Sequence, residues 1–322
     1  MNESQGFVQK SLQIEKSLTQ QRDADLFILS KMDDHSLLTF CKSSKYGNQL
    51  CQNDDFWRNR FIKKYGHANK NLENTRTWKD FYLLITYYLD LYTPNKAVEV
   101  AAERGGRKSN NLDIIRFFIS RYPIDLDRGM YGAAKGGNKS LVAFFIDQGA
   151  NQWNIAMRGA ASSKSSNAEE LVHFLIDQGA DDWDRGLRGA AEANNMKLIN
   201  FFIGRGANDW DSGLIGAAEG NHKQLIEYFI GKGATDWNWG LQGAASSGNV
   251  DLVNYFLRKP GFKIITSALN VAVFHGQFEV VEFLLKDSPE QLFILQTLLS
   301  PAQTGGYKRM IEYIQQKIKE LE

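Results

Sequence analysis

The sequence predicts an all-α fold: a helical solenoid of about eight helix pairs preceded by a small helical module. Three observations predict it. One short phrase recurs between residues 100 and 322, clearest as NQWNIAMRGAA, DDWDRGLRGAA, NDWDSGLIGAA and TDWNWGLQGAA. An aromatic position keeps register with it, at Phe117, Phe144, Phe174, Phe201, Tyr228, Tyr255, Phe283 and Tyr313, with intervals of 27, 30, 27, 27, 27, 28 and 30 residues. Each phrase runs into an apolar helix such as LVHFLIDQGA, without the alternation of a strand. A fixed period in this range means units that bury their apolar faces only against neighbours. Such arrays present surfaces more often than pockets.

Composition narrows the partners. With 38 basic and 37 acidic residues the net charge is +1, and a phosphate-gripping protein is normally more basic, so nucleic acid is not expected. The longest apolar run, LLITYYL at 83–89, is too short to cross a bilayer, and no secretory h-region opens the chain. Two cysteines, Cys41 and Cys51, fit reduced thiols in a cytoplasmic or nuclear setting.

In chain order, residues 1–22 hold a weakly amphipathic helix over 5–20, with Phe7, Val8, Leu12, Ile14 and Leu18 at helical spacing. Residues 23–66 read as helices near 24–31, 35–43, 46–51 and 55–64, with Asp33 or Asp34 capping the second and Asn53 or Asp54 the last. Residues 67–96 link this module to the array through a helix at 78–92 that ends before Pro94. The array occupies 97–322. In each unit an Asn or Asp (Asp127, Asn154, Asp184, Asp211, Asn238) is the expected N-cap of the first helix. Glycines such as Gly186 and Gly189 slim that helix, an Ala pair stacks on the next unit, and Gly149, Gly179, Gly206 or Gly233 ends the second helix.

The segments AAKGGNKSLVAFFIDQGA and AAEGNHKQLIEYFIGKGA, helix, tight turn, helix and then Gly-Ala, resemble the second half of an ankyrin repeat. The first half departs from that family, since Trp-Asp-X-Gly-Leu replaces Thr-Pro-Leu-His. Each unit is also about six residues short of the usual 33, so the resemblance implies an array without the β-hairpin finger. Compact tryptophan-bearing units of this kind resemble ankyrin proteins of giant viruses that infect amoebae. Upstream, DADLFILSKMDDHSLLTFCKSSKYGNQLCQNDDFWRNRFIKKYG resembles an F-box, with Asp23-Ala24-Asp25 where that family opens on Leu-Pro. The resemblance implies docking onto the Skp adaptor of cullin ubiquitin ligases. Leu26, Ile28, Leu29, Leu37, Leu38, Cys41 and Trp57 match the motif's apolar positions; sequence does not divide them between adaptor contacts and core.

Within the repeated frame, two positions vary while the glycines beside them stay fixed. They place a target-binding concave face on Arg128, Tyr131, Arg158, Arg185, Arg188, Ile215, Trp239 and Gln242. Trp153, Trp183, Trp210 and Trp237 recur in phase and are expected to pack. The Asp-X-Asp-X-Gly steps lack the fifth and twelfth oxygens of a calcium loop, and the five histidines are scattered. GGRKS at 105–109 lacks P-loop spacing. No cofactor and no metal is expected. The expected function is a non-catalytic adaptor, a substrate receptor for a Skp–cullin–F-box ligase whose array holds the target. The alternative is an ankyrin scaffold or sequestering protein without ligase recruitment.

Overall fold

The computed structural model describes residues 22–43, 45–66, 76–105, 111–261, 264–286 and 291–322. The helix expected over 5–20 and all but the first residue of GGRKS lie outside them. The described residues are helical throughout, with one isolated bridge, Tyr92 to Tyr307, and no strand. The chain divides into two compact units, Met1–Tyr87 and Tyr88–Glu322.

The first unit contains α1 (Arg22–Leu29), α2 (Asp34–Ser43), α3 (Lys45–Leu50), α4 (Asp54–Tyr65) and the N-terminal part of α5 (Trp78–Leu91). Asp33 caps α2 by accepting from the Ser36 N–H, and Asn53 caps α4 by accepting from that of Phe56. The core is aromatic: Phe40, Trp57, Phe61, Phe81 and Tyr82 are all but completely buried. One carboxylate ties the helices together. Asp34 accepts from Tyr82 Oη at 2.6 Å and from Arg60 Nη2 at 2.6 Å, and pairs with Lys64 at 2.8 Å. Burial alone would raise the Asp34 carboxyl, but these three donors hold it below its ordinary value. The expectation of reduced thiols is corrected, because Cys41 and Cys51 are joined in a disulfide with Cα atoms 5.8 Å apart. Both cysteines are buried, and Trp57 Nε1 donates to the Cys51 carbonyl, so helix packing brings the two thiols together.

The second unit is a stack of eight helix pairs. They are α6 (Pro94–Arg104) with α7 (Leu112–Arg121), α8 (Leu126–Lys135) with α9 (Lys139–Asp147), and α10 (Trp153–Ala161) with α11 (Ala168–Asp177). Next come α12 (Trp183–Glu192) with α13 (Met196–Gly204), α14 (Trp210–Glu219) with α15 (Lys223–Lys232), and α16 (Trp237–Ser247) with α17 (Val250–Leu257). The last are α18 (Ile265–Phe274) with α19 (Phe278–Leu285), and α20 (Gln291–Gly305) with α21 (Lys308–Leu321). Each pair packs on its neighbours, chiefly first helix on first helix.

The units are wedges. On the first helices, a Cβ at Gly132, Gly189 or Gly216 would strike the carbonyl oxygen of Glu99, Arg158 or Arg188 in the preceding first helix. Toward the second helix, a Cβ at Gly186, Gly213 or Gly240 would strike the ring of Phe202, Phe229 or Phe256. First helices therefore nearly touch along Gly and Ala, while second helices are spread by buried Phe and Leu. Stacked wedges curve strongly, with the slim helices inside.

The cap expectation is corrected by one turn of logic. The first helices begin at the tryptophan or the residue beside it, and their caps are Asp125, Asp182, Asp209 and Asp236, which accept from N–H groups two or three residues on. Asp127, Asn154, Asp184, Asp211 and Asn238 sit inside the first turn and reach the next unit instead. Asp211 Oδ1 accepts from the Thr235 and Asp236 N–H groups at 2.8 and 2.9 Å. Asp127, Asn154 and Asp184 bind two amides each in the same way, Asn238 binds the Ile264 N–H, and Asn95 begins the series at Asp125. These side chains satisfy loop amides that a β-hairpin finger would otherwise pair. The loops stay short and strandless.

Curvature runs to closure. The Thr93 N–H donates to the Gly306 carbonyl at 2.9 Å, Arg128 Nη1 donates to the Thr304 carbonyl at 2.6 Å, and Lys308 Nζ donates to the Leu89 carbonyl. Tyr92 stacks edge-on to Tyr307 with centroids 5.7 Å apart, and Lys96 Nζ lies 5.0 Å from the same Tyr307 ring. Gly306 has φ +80°, and a Cβ there would strike Thr93 and Lys96. The C-terminal end of α20 thus meets the N-terminal end of α6, and the array closes on itself as one spiral turn, a ring whose two ends are offset along the helix axes.

Candidate interaction surfaces

In the first unit the seven motif positions separate. Leu29, Leu37, Cys41 and Trp57 are core, with Leu29 and Leu37 fully buried and Cys41 in the disulfide. Leu26, Ile28 and Leu38 are half-buried. Between the first two, Phe27 is 64% exposed, the second most exposed large apolar side chain described. Sequence reasoning passed over Phe27 because it lies between motif positions. Its neighbours Asp25 and Leu29 face the core, and that placement turns Phe27 outward.

On the array, the variable positions all lie on first helices, the inner wall of the ring. Their four arginines are all met by carboxylates of the same array. Arg158 Nη2 of α10 reaches Glu219 of α14 at 3.2 Å, and Lys135 of α8 reaches Glu192 of α12 at 3.3 Å. Both pairs skip a whole repeat. In a straight stack two spacings of about 8–10 Å would part them, so only tight curvature permits the contacts. Arg188 Nε also donates to Glu219, at 3.0 Å, and Glu219 keeps only 6% side-chain exposure. Burial would raise the Glu219 carboxyl, yet Arg158 and Arg188 hold it well below the usual range. Burial likewise works against the Arg158 charge, and Glu219, Tyr131 and Glu192 together more than offset it.

Arg128 spans the seam. It pairs with Glu99 at 2.8 Å, donates to Thr304, and lies over the Phe274 ring at 5.7 Å. Tyr131 is half-buried with Arg158 over its ring, and burial pushes its hydroxyl up. Ile215 is buried. Trp239 and Gln242 are half-buried on α16. Arg185 alone of the eight is exposed, and pairs with its own cap Asp182 at 2.8 Å. The structure therefore brings Arg158, Arg188 and Tyr131 together as an internal charge cluster and leaves Arg185 apart. His275, on the turn after α18, joins this interior; burial pushes it down to about 4 against the pull of Glu219. The in-phase tryptophans Trp153, Trp183, Trp210 and Trp237 are half-buried.

Among the described residues no group of acidic, histidine and cysteine side chains could hold a metal, and no helix is long and apolar enough to cross a membrane. No protein-family model matches the chain, and no curated protein is similar to it.

Proposed function

We propose that the chain is a non-catalytic adaptor in which an F-box-like first unit recruits a Skp–cullin ligase and an ankyrin-type array lacking fingers holds the target. The observation that carries the first half is Phe27, exposed on α1 between half-buried Leu26 and Ile28 while Leu29 fills the core. An apolar cluster left outside a closed core marks a contact surface. A repeat array of surfaces, not pockets, suits the second half.

The test is co-purification of the full chain with the Skp adaptor. Phe27→Glu with Ile28→Glu should abolish it while leaving the melting temperature within a few degrees. Leu37→Asp is the wrong probe, since Leu37 is fully buried and a charge there unfolds the unit. Unchanged capture by the Phe27/Ile28 variant would contradict the reading. One observation favours a scaffold without ligase recruitment. At the position of the missing Leu-Pro opening, Asp25 is fully buried and accepts from Tyr46 Oη at 2.6 Å, so this stretch serves the unit's own fold. A wild-type chain that never captures the adaptor, yet pulls down the same target as residues 88–322, would select the scaffold.

A further inference from the structure

The inner-wall arginines are held by ion pairs within the array, so cations without a carboxylate are to be sought elsewhere. On the rim where second helices hand over to the next first helices, three successive units repeat one arrangement. Arg205 lies 5.4 Å from the Trp183 ring and 5.1 Å from Phe201. Lys232 lies 5.9 Å from Trp210 and 5.5 Å from Tyr228. Lys259 lies 5.2 Å from Trp237 and 4.4 Å from Tyr255. Each cation is held between two rings, and among the described residues none of the three pairs with a carboxylate. The acids nearby are occupied: Asp209 and Asp236 cap helices, and Asp211 clamps the next unit.

A second observation is independent of charge. Gly204 and Gly231 stand in the last turn of α13 and α15, one residue before Arg205 and Lys232, and a Cβ on either would meet nothing within 4 Å. Gly206, one residue after Arg205, also faces open space. Glycine in a helix is disfavoured by roughly 0.5–1 kcal/mol against alanine, and nothing in the fold approaches these positions. The bare backbone leaves Arg205 and Lys232 open to close approach from outside. In the equivalent turns the second and third units have Asp147-Gln148 and Asp177-Gln178 and the sixth has Arg258-Lys259, so the glycine-cation pair belongs to the fourth and fifth units.

We propose that this rim, Arg205, Lys232 and Lys259 with their tryptophans, binds an extended acidic segment of a partner protein. Successive units stack on the order of 10 Å apart, which is roughly three residues of extended chain. Carboxylates at every third residue would reach successive cations. A nucleic acid fits less well, because three cations make a short row and a chain of net charge +1 carries no wider basic surface for a continuous phosphate chain. The proposal deepens the adaptor reading by naming the target's chemistry, but its test needs no ligase component.

The probe is a fluorescein-labelled peptide of nine residues with Glu at every third position, measured by anisotropy against the full chain at low and physiological salt. Binding should be present, weaken with salt, and fall at least tenfold for Arg205→Gln/Lys232→Gln/Lys259→Gln. A second variant, Gly204→Leu with Gly231→Leu, should retain or raise the melting temperature and still lose the peptide, which a purely structural role for these glycines would not produce. Equal binding of the Gln-substituted peptide, or full binding by both variants, overturns the proposal. Tighter binding of a labelled single-stranded oligonucleotide overturns it in favour of nucleic acid. Salt-sensitive self-association abolished by the triple variant overturns it in favour of a second copy. Failure to capture the Skp adaptor leaves this result untouched.

Discussion

The inner and outer helices of the ring are built from the same period but obey different rules. Outer helices carry constant bulk, with Phe145, Phe202, Phe229 and Phe256 fully buried at equivalent places. Inner helices carry constant small residues, Gly and Ala, around positions that differ from unit to unit. In an open array such variable positions are free to meet a partner. Here Arg158 and Arg188 are taken up with Lys135, Glu192 and Glu219 of neighbouring units in a network that no single unit could specify. Variation inside a repeat frame can thus encode the closure of the array itself.

The sharpest way to break this contrast is Glu219→Ala. It leaves two arginines facing each other without their shared carboxylate, and removing one partner of a buried pair costs about 3–5 kcal/mol. A drop well below about 1 kcal/mol in urea unfolding would mean that the inner positions are solvated and free. Phe229→Ala should cost about as much by leaving a cavity, so the two helices would be equal in energy though opposite in chemistry.

Acid should affect the inner face first. His275 is neutral in the ring, its value lowered to about 4 from an ordinary 6.5 by burial, with Glu219, Lys96, Arg158 and Glu99 around it. The unfolded chain takes up that proton at the ordinary value. The contribution is therefore whole above pH 6.5 and lost as pH falls toward 4. His275→Gln should flatten the melting temperature across this window. Glu219, lowered from 4.5, adds its loss only below that value. A profile unchanged by His275→Gln would place the imidazole in solvent.

Smaller effects separate a cap from a clamp. Asp209→Ala loses an N-cap, about 1 kcal/mol. Asp211→Ala strips two amides of a charged acceptor in the next unit, about 1.5–3 kcal/mol, and equal losses at the two sites would dissolve the distinction.

Much of this fold was legible from sequence. The period located eight pairs, the short unit announced strandless loops, and the Gly/Ala frame named the slim helix. What escaped depends on contacts between distant residues. Asp184 and its counterparts read as caps because local spacing shows a helix start, whereas their partners lie 24–28 residues away. Closure rests on Thr93 meeting Gly306 and Arg128 meeting Thr304, pairings with no local signature. Arg158 and Arg188 looked free for the same reason, since Glu219 is far along the chain. The Cys41–Cys51 bond was missed because two cysteines 10 residues apart close no large loop that would call for a staple.

Ring closure is the claim on which the rest stands, and amide hydrogen exchange at Thr93 tests it most directly. Thr93 precedes the first turn of α6, so its N–H has no acceptor within that helix; its acceptor is the Gly306 carbonyl at 2.9 Å. A closed ring predicts strong protection of this amide in the full chain, and much weaker protection in Arg128→Ala, which removes the side chain that spans the seam. Exchange of the Thr93 amide at the rate of an unstructured chain would show that the eighth pair does not meet the first, and that the array is open.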